Sequence, residues 1–423
     1  MNAILAIPLG IRLLALFGLG AAVGGFINLG VYRLAWNRRS ISPWGRTPRW
    51  ADRLPIFGWL ALRRESPRHG RGFWIRPLGV EVVAGLLFAG LYYWEIEAAA
   101  PRWLLPGQGA VQAQFLAGNL PLVLHARYVS HLVLISLMLV ASLIDFDEKS
   151  IPDAITTSGT LLGLALAVAY PWSLLSAGDW LILGAPEVEF LTLISPNPWP
   201  AELGGWPLKG PLAIGLGCWT LWCGGLLPRR WNTRRGLKTA VRVFFHRLRV
   251  EPITYRILAL WLAGAAAIAL AAWLAPAANW AALLTALFGM AAAGGMIWMV
   301  RIIGGVTLKR EAMGFGDVTL MSMIGAFLGW QAALMVFFLA PFAGLVIGLA
   351  QWVFRGDHEI PYGPFLCLGA FGVILDWTEL WDRMSDVFAL GWLLAALLAA
   401  CMALMGVMLL AYRVLRDRTI QPG

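Results

Sequence analysis

The sequence predicts an all-α, polytopic membrane fold of about 11 transmembrane helices (9–11), and three observations lead there. Of 423 residues, 59% are hydrophobic and only 13% charged, with a mean hydropathy of +0.71, which excludes a soluble globular domain of ordinary composition. Apolar runs of about 20 residues, enough to cross a hydrocarbon core of about 30 Å, recur along the chain. The net charge of +10 is gathered into blocks rather than spread.

The predicted spans fall near 9–31, 79–97, 130–146, 154–171, 210–228, 257–275, 281–304, 317–330, 332–354, 361–378 and 386–412. The first reads as a retained span: it is long, carries only Arg12 ahead of it, and runs into a basic block without a small-residue cleavage site. Between Tyr32 and Pro77 lie eleven arginines, from Arg33 to Arg76, against Asp52 and Glu65, which marks that loop as cytoplasmic. A second block runs from Arg229 to Arg249, and a third holds Arg413, Arg416 and Arg418. Alternate threading from an outside N-terminus puts all three on one side. It puts Asp179, Glu187, Glu189 and Glu202 outside, with Asp376, Glu379, Asp382 and Asp386. The basic blocks suit orientation and anionic lipid headgroups better than nucleic acid. Tryptophans near span ends, such as Trp94, Trp172 and Trp377, suit interfacial anchoring.

Cys218, Cys223, Cys367 and Cys401 all lie in apolar stretches and form no Cys-x-x-Cys pair. They suggest core packing rather than a disulfide framework or a zinc site.

Two carboxylates stand where charge is costly. Asp317 closes Gly314-Phe315-Gly316-Asp317 at the mouth of the eighth span, and Asp145 opens a charged cluster with Asp147, Glu148 and Asp153 at the end of the third. Four spans separate them, an even number, so both face the same side of the bilayer. Two aspartates that approach one another share a proton, one serving as base on a water and the other polarising a scissile carbonyl. Taken singly, Asp317 could N-cap its helix and Asp145 could belong to the polar hem of a span. A carboxylate-coupled transporter is the competing class, although such proteins place their acids near the midplane and often within repeats.

The residues resemble the type IV prepilin peptidases in several ordered pieces. These are Gly24-Gly25-Phe26-Ile27-Asn28 through Leu34, Leu54-Pro55-Ile56-Phe57-Gly58-Trp59-Leu60, Arg76-Pro77-Leu78-Gly79-Val80-Glu81, Ile144-Asp145 through Ile151-Pro152-Asp153, Glu311 through Asp317, and Ile360-Pro361-Tyr362-Gly363-Pro364. The resemblance implies a membrane aspartic endopeptidase with a GxGD core. It places catalytic roles on Asp145 and Asp317, supported in their motifs by Gly314, Gly316, Pro152 and Asp153. It also implies a bacterial cytoplasmic (inner) membrane location with the catalytic face cytoplasmic. The partners would be prepilin or type II secretion pseudopilin precursors and membrane lipid, with no nucleic acid. The precursor's basic leader is expected to be drawn to Asp147 and Glu148.

Many relatives carry two Cys-x-x-Cys pairs in the first cytoplasmic loop; here the stretches read Ser42-Pro43-Trp44-Gly45 and Glu65-Ser66-Pro67-Arg68-His69. Zinc is therefore not expected, and S-adenosylmethionine would serve only if the methyltransferase activity of bifunctional relatives were kept. Thr319 and Ala312 stand where lysine and glycine are common in the family. A catalytically silent pilus-assembly homologue is the further alternative. The chain divides into 1–129 (first span, Arg-rich loop 32–76, second span), 130–180 (first aspartate), 181–280 (an inserted pair of spans around a basic loop, 229–255), 281–378 (second aspartate) and 379–423 (last span and basic tail).

Overall fold

The computed structural model describes residues 6–35, 44, 50–98, 120–182, 185–200, 209–227, 246, 250–308, 313–354 and 361–420. Most of the basic loop 229–255 lies outside them, as do Glu311, Ala312 and Ile360. The described chain is helical almost throughout. The main helices are α1 (Leu9–Leu34), α2 (Ile75–Tyr92, prolonged by a π-helical turn, Tyr93–Ala98), α3 (Leu120–Glu148), α4 (Asp153–Ala169), α5 (Lys209–Leu226), α6 (Pro252–Leu274), α7 (Ala277–Leu308), α8 (Phe315–Phe354), α9 (Gly363–Leu375), α10 (Trp377–Ala389) and α11 (Trp392–Ile420). Among the described residues seven helices are long and apolar enough to span a membrane, or eight with the bent pair α9 and α10; α4 and α5 are shorter apolar helices. This is a polytopic helical membrane protein.

Two details depart from an all-helical reading with irregular outer loops. After α4 the chain forms an antiparallel hairpin, β1 (Ser176–Ile182) with β2 (Ala185–Phe190). The acidic stretch around Asp382, read from its charge as an outer loop, is α10, which turns 94° from α9. Its helix period puts Trp377, Trp381 and Phe388 on one buried face, with neighbouring rings stacked at 5.2 and 5.7 Å, while Glu379 and Asp382 stay exposed. The indole N–H groups of Trp377 and Trp381 donate to the carbonyls of Ser176 and Ala177, at 2.8 and 2.5 Å. Burial of the aromatic face and capture of the hairpin's open carbonyls explain why so polar a segment is helical. Of the cysteines, Cys218, Cys223 and Cys367 are buried as expected, whereas Cys401 is exposed on α11.

α8 holds two of the expected spans in one helical run. Gly329 interrupts it with φ 83 and ψ 169, a backbone region that residues with a Cβ rarely enter. Before the break, Thr319 bonds Thr156, and Met323 and Phe327 crowd Gly159 and Gly163, so this arm runs parallel to α4. After it, Val336 and Ala340 lie on Gly369 and Gly344 on Phe365, so the second arm runs antiparallel to α9. Asp317 and Gly344 therefore lie at the same end of the bundle, and the chain doubles back at Gly329.

The first arm is clamped to α7 by backbone contact. A Cβ on Gly289 would collide with the Gly325 carbonyl, and one on Gly325 with that of Gly289; small residues permit this approach where lipid supplies no hydrophobic drive. Gly289→Leu will thus lower the melting temperature of the detergent-solubilised protein by several degrees, whereas Gly295→Leu, six residues further along α7 where a Cβ meets nothing within 4 Å, will leave it nearly unchanged. Equal tolerance in a thermal-unfolding scan would refute this packing.

Candidate active site

Three helix ends converge at one end of the bundle. α3 stops at Glu148, where Lys149 takes φ 51 and its N–H returns to the Asp145 carbonyl at 2.8 Å. Pro152, extended at φ −67 and ψ 127 just before α4, keeps the two helices from fusing. The tight connection leaves Ile151 facing inward, against Gly316 and Gly363. α8 begins at Phe315, so Asp317 is the third residue of its first turn rather than its N-cap. Its carboxyl accepts the N–H of Gly314, the reach-back that an acid in this position makes in a capping box. Arg301 steadies the approach, with Nε donating to the Met313 carbonyl at 3.0 Å and its guanidinium 5.6 Å from the Phe315 ring centre.

The third end is the start of α9. The N–H of Gly363 is directed at the Asp145 carboxyl, where the positive end of a helix favours negative charge. Asp145 and Asp317 are 5% and 7% exposed and within electrostatic reach of each other, with Tyr362 also near Asp317. Oδ2 of Asp145 is buried with no hydrogen-bond partner. A buried carboxylate oxygen without a partner is costly, which is the condition expected of a group kept for a reacting molecule. The arrangement can hold a water between two carboxyls beside a helix N-terminus.

The other residues singled out in the sequence have distinct places. Gly316 is packed so that a Cβ would lie 2.8 Å from that of Ile151, and one on Gly314 would lie 3.5 Å from Oδ2 of Asp317. Asp153 is exposed in the first turn of α4 and does not join the pair. Thr319 is buried and tied to Thr156 at 3.0 Å, hooking α8 to α4. Asp147 does not fit the role of receiving a basic leader: Nη1 of Arg76 lies 2.7 Å from each of its carboxylate oxygens, so its charge is already partnered. Sequence reasoning gave no role to Gly363, Ile151 or Tyr362. Pro361-Tyr362-Gly363-Pro364 was visible as a motif, but only the fold shows that it brings a helix start to Asp145.

The ordered motifs near the N-terminus meet on Glu81, which is buried. Its carboxylate accepts the Ile56 N–H and the Trp59 indole at 2.5 and 2.7 Å, and Asn28 donates to the neighbouring Pro77 carbonyl at 2.9 Å. Below them Trp59 and Leu62 form a small core with Tyr32, Trp44, Phe73, Trp74 and Leu78, and the buried Asp52 pairs with Arg64 at 2.6 Å. The stretches aligned with the family's cysteine pairs hold no cysteine. Glu65 and His69 face each other at 3.6 Å with Arg64 alongside, and no group of three His, Cys, Asp or Glu side chains assembles among the described residues. Ion pairs and aromatic packing hold this region.

The fold and the site together define a polytopic helical membrane protein with a paired-aspartate centre at one end of its bundle. Residues 253–349, which include Asp317, match the type IV leader peptidase family. It is similar to a prepilin leader peptidase/N-methyltransferase of Myxococcus xanthus, 29% identical over 211 residues that cover 48% of this chain and 51% of that protein. Proteins of the same description from Burkholderia pseudomallei and Aeromonas salmonicida are 36% and 31% identical over 77 and 97 residues, 18% and 22% of this chain and 24% and 32% of theirs. The chain thus spans from about a quarter to about half the length of these relatives. No solved structure matches. The matched segment begins inside α6, the second helix of the pair read from the sequence as an insertion.

Proposed function

We propose that this chain is an intramembrane aspartic endopeptidase that removes the leader of type IV prepilins or type II secretion pseudopilins at the cytoplasmic membrane face. The observation that carries the reading is the burial of Asp145 and Asp317 within reach of each other between three helix ends. The orientation rests on charge: the arginines of the loop after α1 and those near the C-terminal end of α11, Arg413 and Arg416, lie at or next to the same end as the aspartates. Two carboxyls this close hold one proton between them. The ionised member takes a proton from water as the water oxygen attacks the scissile carbonyl carbon; the protonated member donates a hydrogen bond to the carbonyl oxygen. The tetrahedral intermediate collapses when the amide nitrogen receives a proton and leaves as an amine, and the other product is the leader's new carboxylate. Asp317 keeps its aim through the Gly314 N–H, and Asp145 through that of Gly363. The precursor's apolar segment remains in the bilayer, which brings the adjoining cleavage point to the membrane boundary where the aspartates sit.

Where many relatives carry two Cys-x-x-Cys pairs this sequence has no cysteine, and the reading therefore includes cleavage without methylation and without S-adenosylmethionine. Coexpression with a prepilin precursor followed by intact mass analysis of the product tests both parts. The expected product has lost its leader and carries an unmodified N-terminal amine; an added 14 Da would overturn the second part and leave the first standing, whereas an uncut precursor overturns the first.

A further inference from the structure

Asp145 is the fourth residue from the end of α3, in the turn where helices fray and the last carbonyls lack intrahelical donors. From within the site the turn is held by the Lys149 N–H on the Asp145 carbonyl and by the Gly363 N–H at its carboxyl. A further hold comes from outside the site. Arg76, in the first turn of α2, has Nη1 2.7 Å from each carboxylate oxygen of Asp147, and its Nη2 donates to the Leu143 carbonyl at 3.2 Å. One guanidinium therefore grips the residues two before and two after Asp145. A planar fork of donors suits this task, whereas a lysine ammonium is a point charge on a flexible stem.

Arg76 stands on a firm base. The next carbonyl, that of Pro77, accepts the Asn28 amide at 2.9 Å. Further along α2 the buried Glu81 takes the Ile56 N–H and the Trp59 indole, and Trp59 with Leu62 forms the small core of the loop between α1 and α2. A continuous set of contacts thus runs from that core through Glu81 and Arg76 to the last turn of α3. The Arg76 and Asp147 side chains are 48% and 38% exposed, and they line a cavity of about 610 Å³ with Tyr32 and Phe73. An ion pair so open to water adds little to stability. It can still govern rate, because displacing a reacting group by about 1 Å costs on the order of 10²-fold.

We propose that Arg76 is a positioning residue for Asp145, and that the loop between α1 and α2 is the brace through which it acts. The effect on rate rests on the peptidase reading of the aspartate pair; the brace itself does not. Without Arg76 the last turn of α3 opens more often, and Asp145 spends less time aimed at its water.

Two readouts on the full chain keep brace and rate apart. Hydrogen exchange of the peptide spanning 143–149, followed by mass spectrometry in detergent, reports the brace, and kcat with KM for a prepilin precursor reports the positioning. In Arg76→Gln the amides of the last turn should exchange about tenfold faster. The same variant should lose about tenfold in kcat while KM stays within about twofold. Asp147→Asn should behave alike, and the double variant should be no slower than either single one, since both changes release one latch. Arg71→Gln removes the same charge from an exposed position in the loop and should change neither readout. Unchanged exchange in Arg76→Gln overturns the brace. Faster exchange with unchanged kcat overturns the positioning role, as does an equal loss of rate in Arg71→Gln, which would assign the effect to bulk charge. If the unaltered protein leaves the precursor uncut, the peptidase reading and the positioning role fail together, while the exchange result still decides the brace.

Discussion

Asp145→Ala and Asp317→Ala will each leave a coexpressed prepilin precursor uncut, with the rate of leader removal lowered by about 10⁴-fold or more, the scale on which removing one member of a catalytic unit acts. The double variant will be no slower than either single one, because two groups that share one proton and one water fail together. That non-additivity separates the dyad from a pair of independently useful acids, for which the losses would multiply. The same three variants should fold. Each exchange removes a buried carboxyl from a costly environment, so the melting temperature in detergent should hold or rise. Cleavage that persists in either single variant sinks the assignment, provided immunoblotting finds the variant in the membrane fraction. Asp153→Ala, which alters an exposed carboxylate outside the pair, serves as the control and should cleave at nearly the unaltered rate.

How far the sequence reveals this centre depends on what each residue must obey. The helices were legible because a hydrocarbon core imposes length and composition on any segment that crosses it, and the even number of spans between Asp145 and Asp317 put both at one face before any packing was known. The reversal at Gly329 was legible too, as a junction between two apolar runs of about 14 and 23 residues. Helix α10 was not. Its acids read as an outer loop because composition is blind to a partner, and its helicity comes from seating Trp377 and Trp381 on the carbonyls of a hairpin. Asp147 shows the same limit at the site: its charge suggested attraction for a basic leader, and only the fold brings in Arg76 from 71 residues away to occupy it. Glycine is the hardest residue to read, since its use lies in what approaches it. Gly363 and Gly295 look alike in the sequence, yet a Cβ on one would meet the Asp145 carboxyl and a Cβ on the other would meet nothing within 4 Å.

Gly363 therefore supports the sharpest test of the geometry. A Cβ placed on it would lie 2.5 Å from Oδ2 of Asp145 and 2.9 Å from Cδ1 of Ile151, both well inside van der Waals contact. Ile151 cannot yield, because it is wedged against Gly316 as well, and α9 is fixed along its length by the second arm of α8. The carboxyl is the softer neighbour, so in Gly363→Ala it is Asp145 that moves, by about 1 Å and away from the N–H that orients it. A displacement of that size at a reacting group costs on the order of 10²-fold in rate. Gly363→Ala will accordingly lower kcat by about that factor while KM for the precursor changes little, the pattern expected when a substitution displaces a reacting group rather than a binding one. A merely structural glycine predicts a different pattern, in which the variant loses stability and whatever folded enzyme remains turns over normally. Active-site titration alongside kcat distinguishes the two, and normal turnover per folded molecule would show that α9 does not set the position of Asp145.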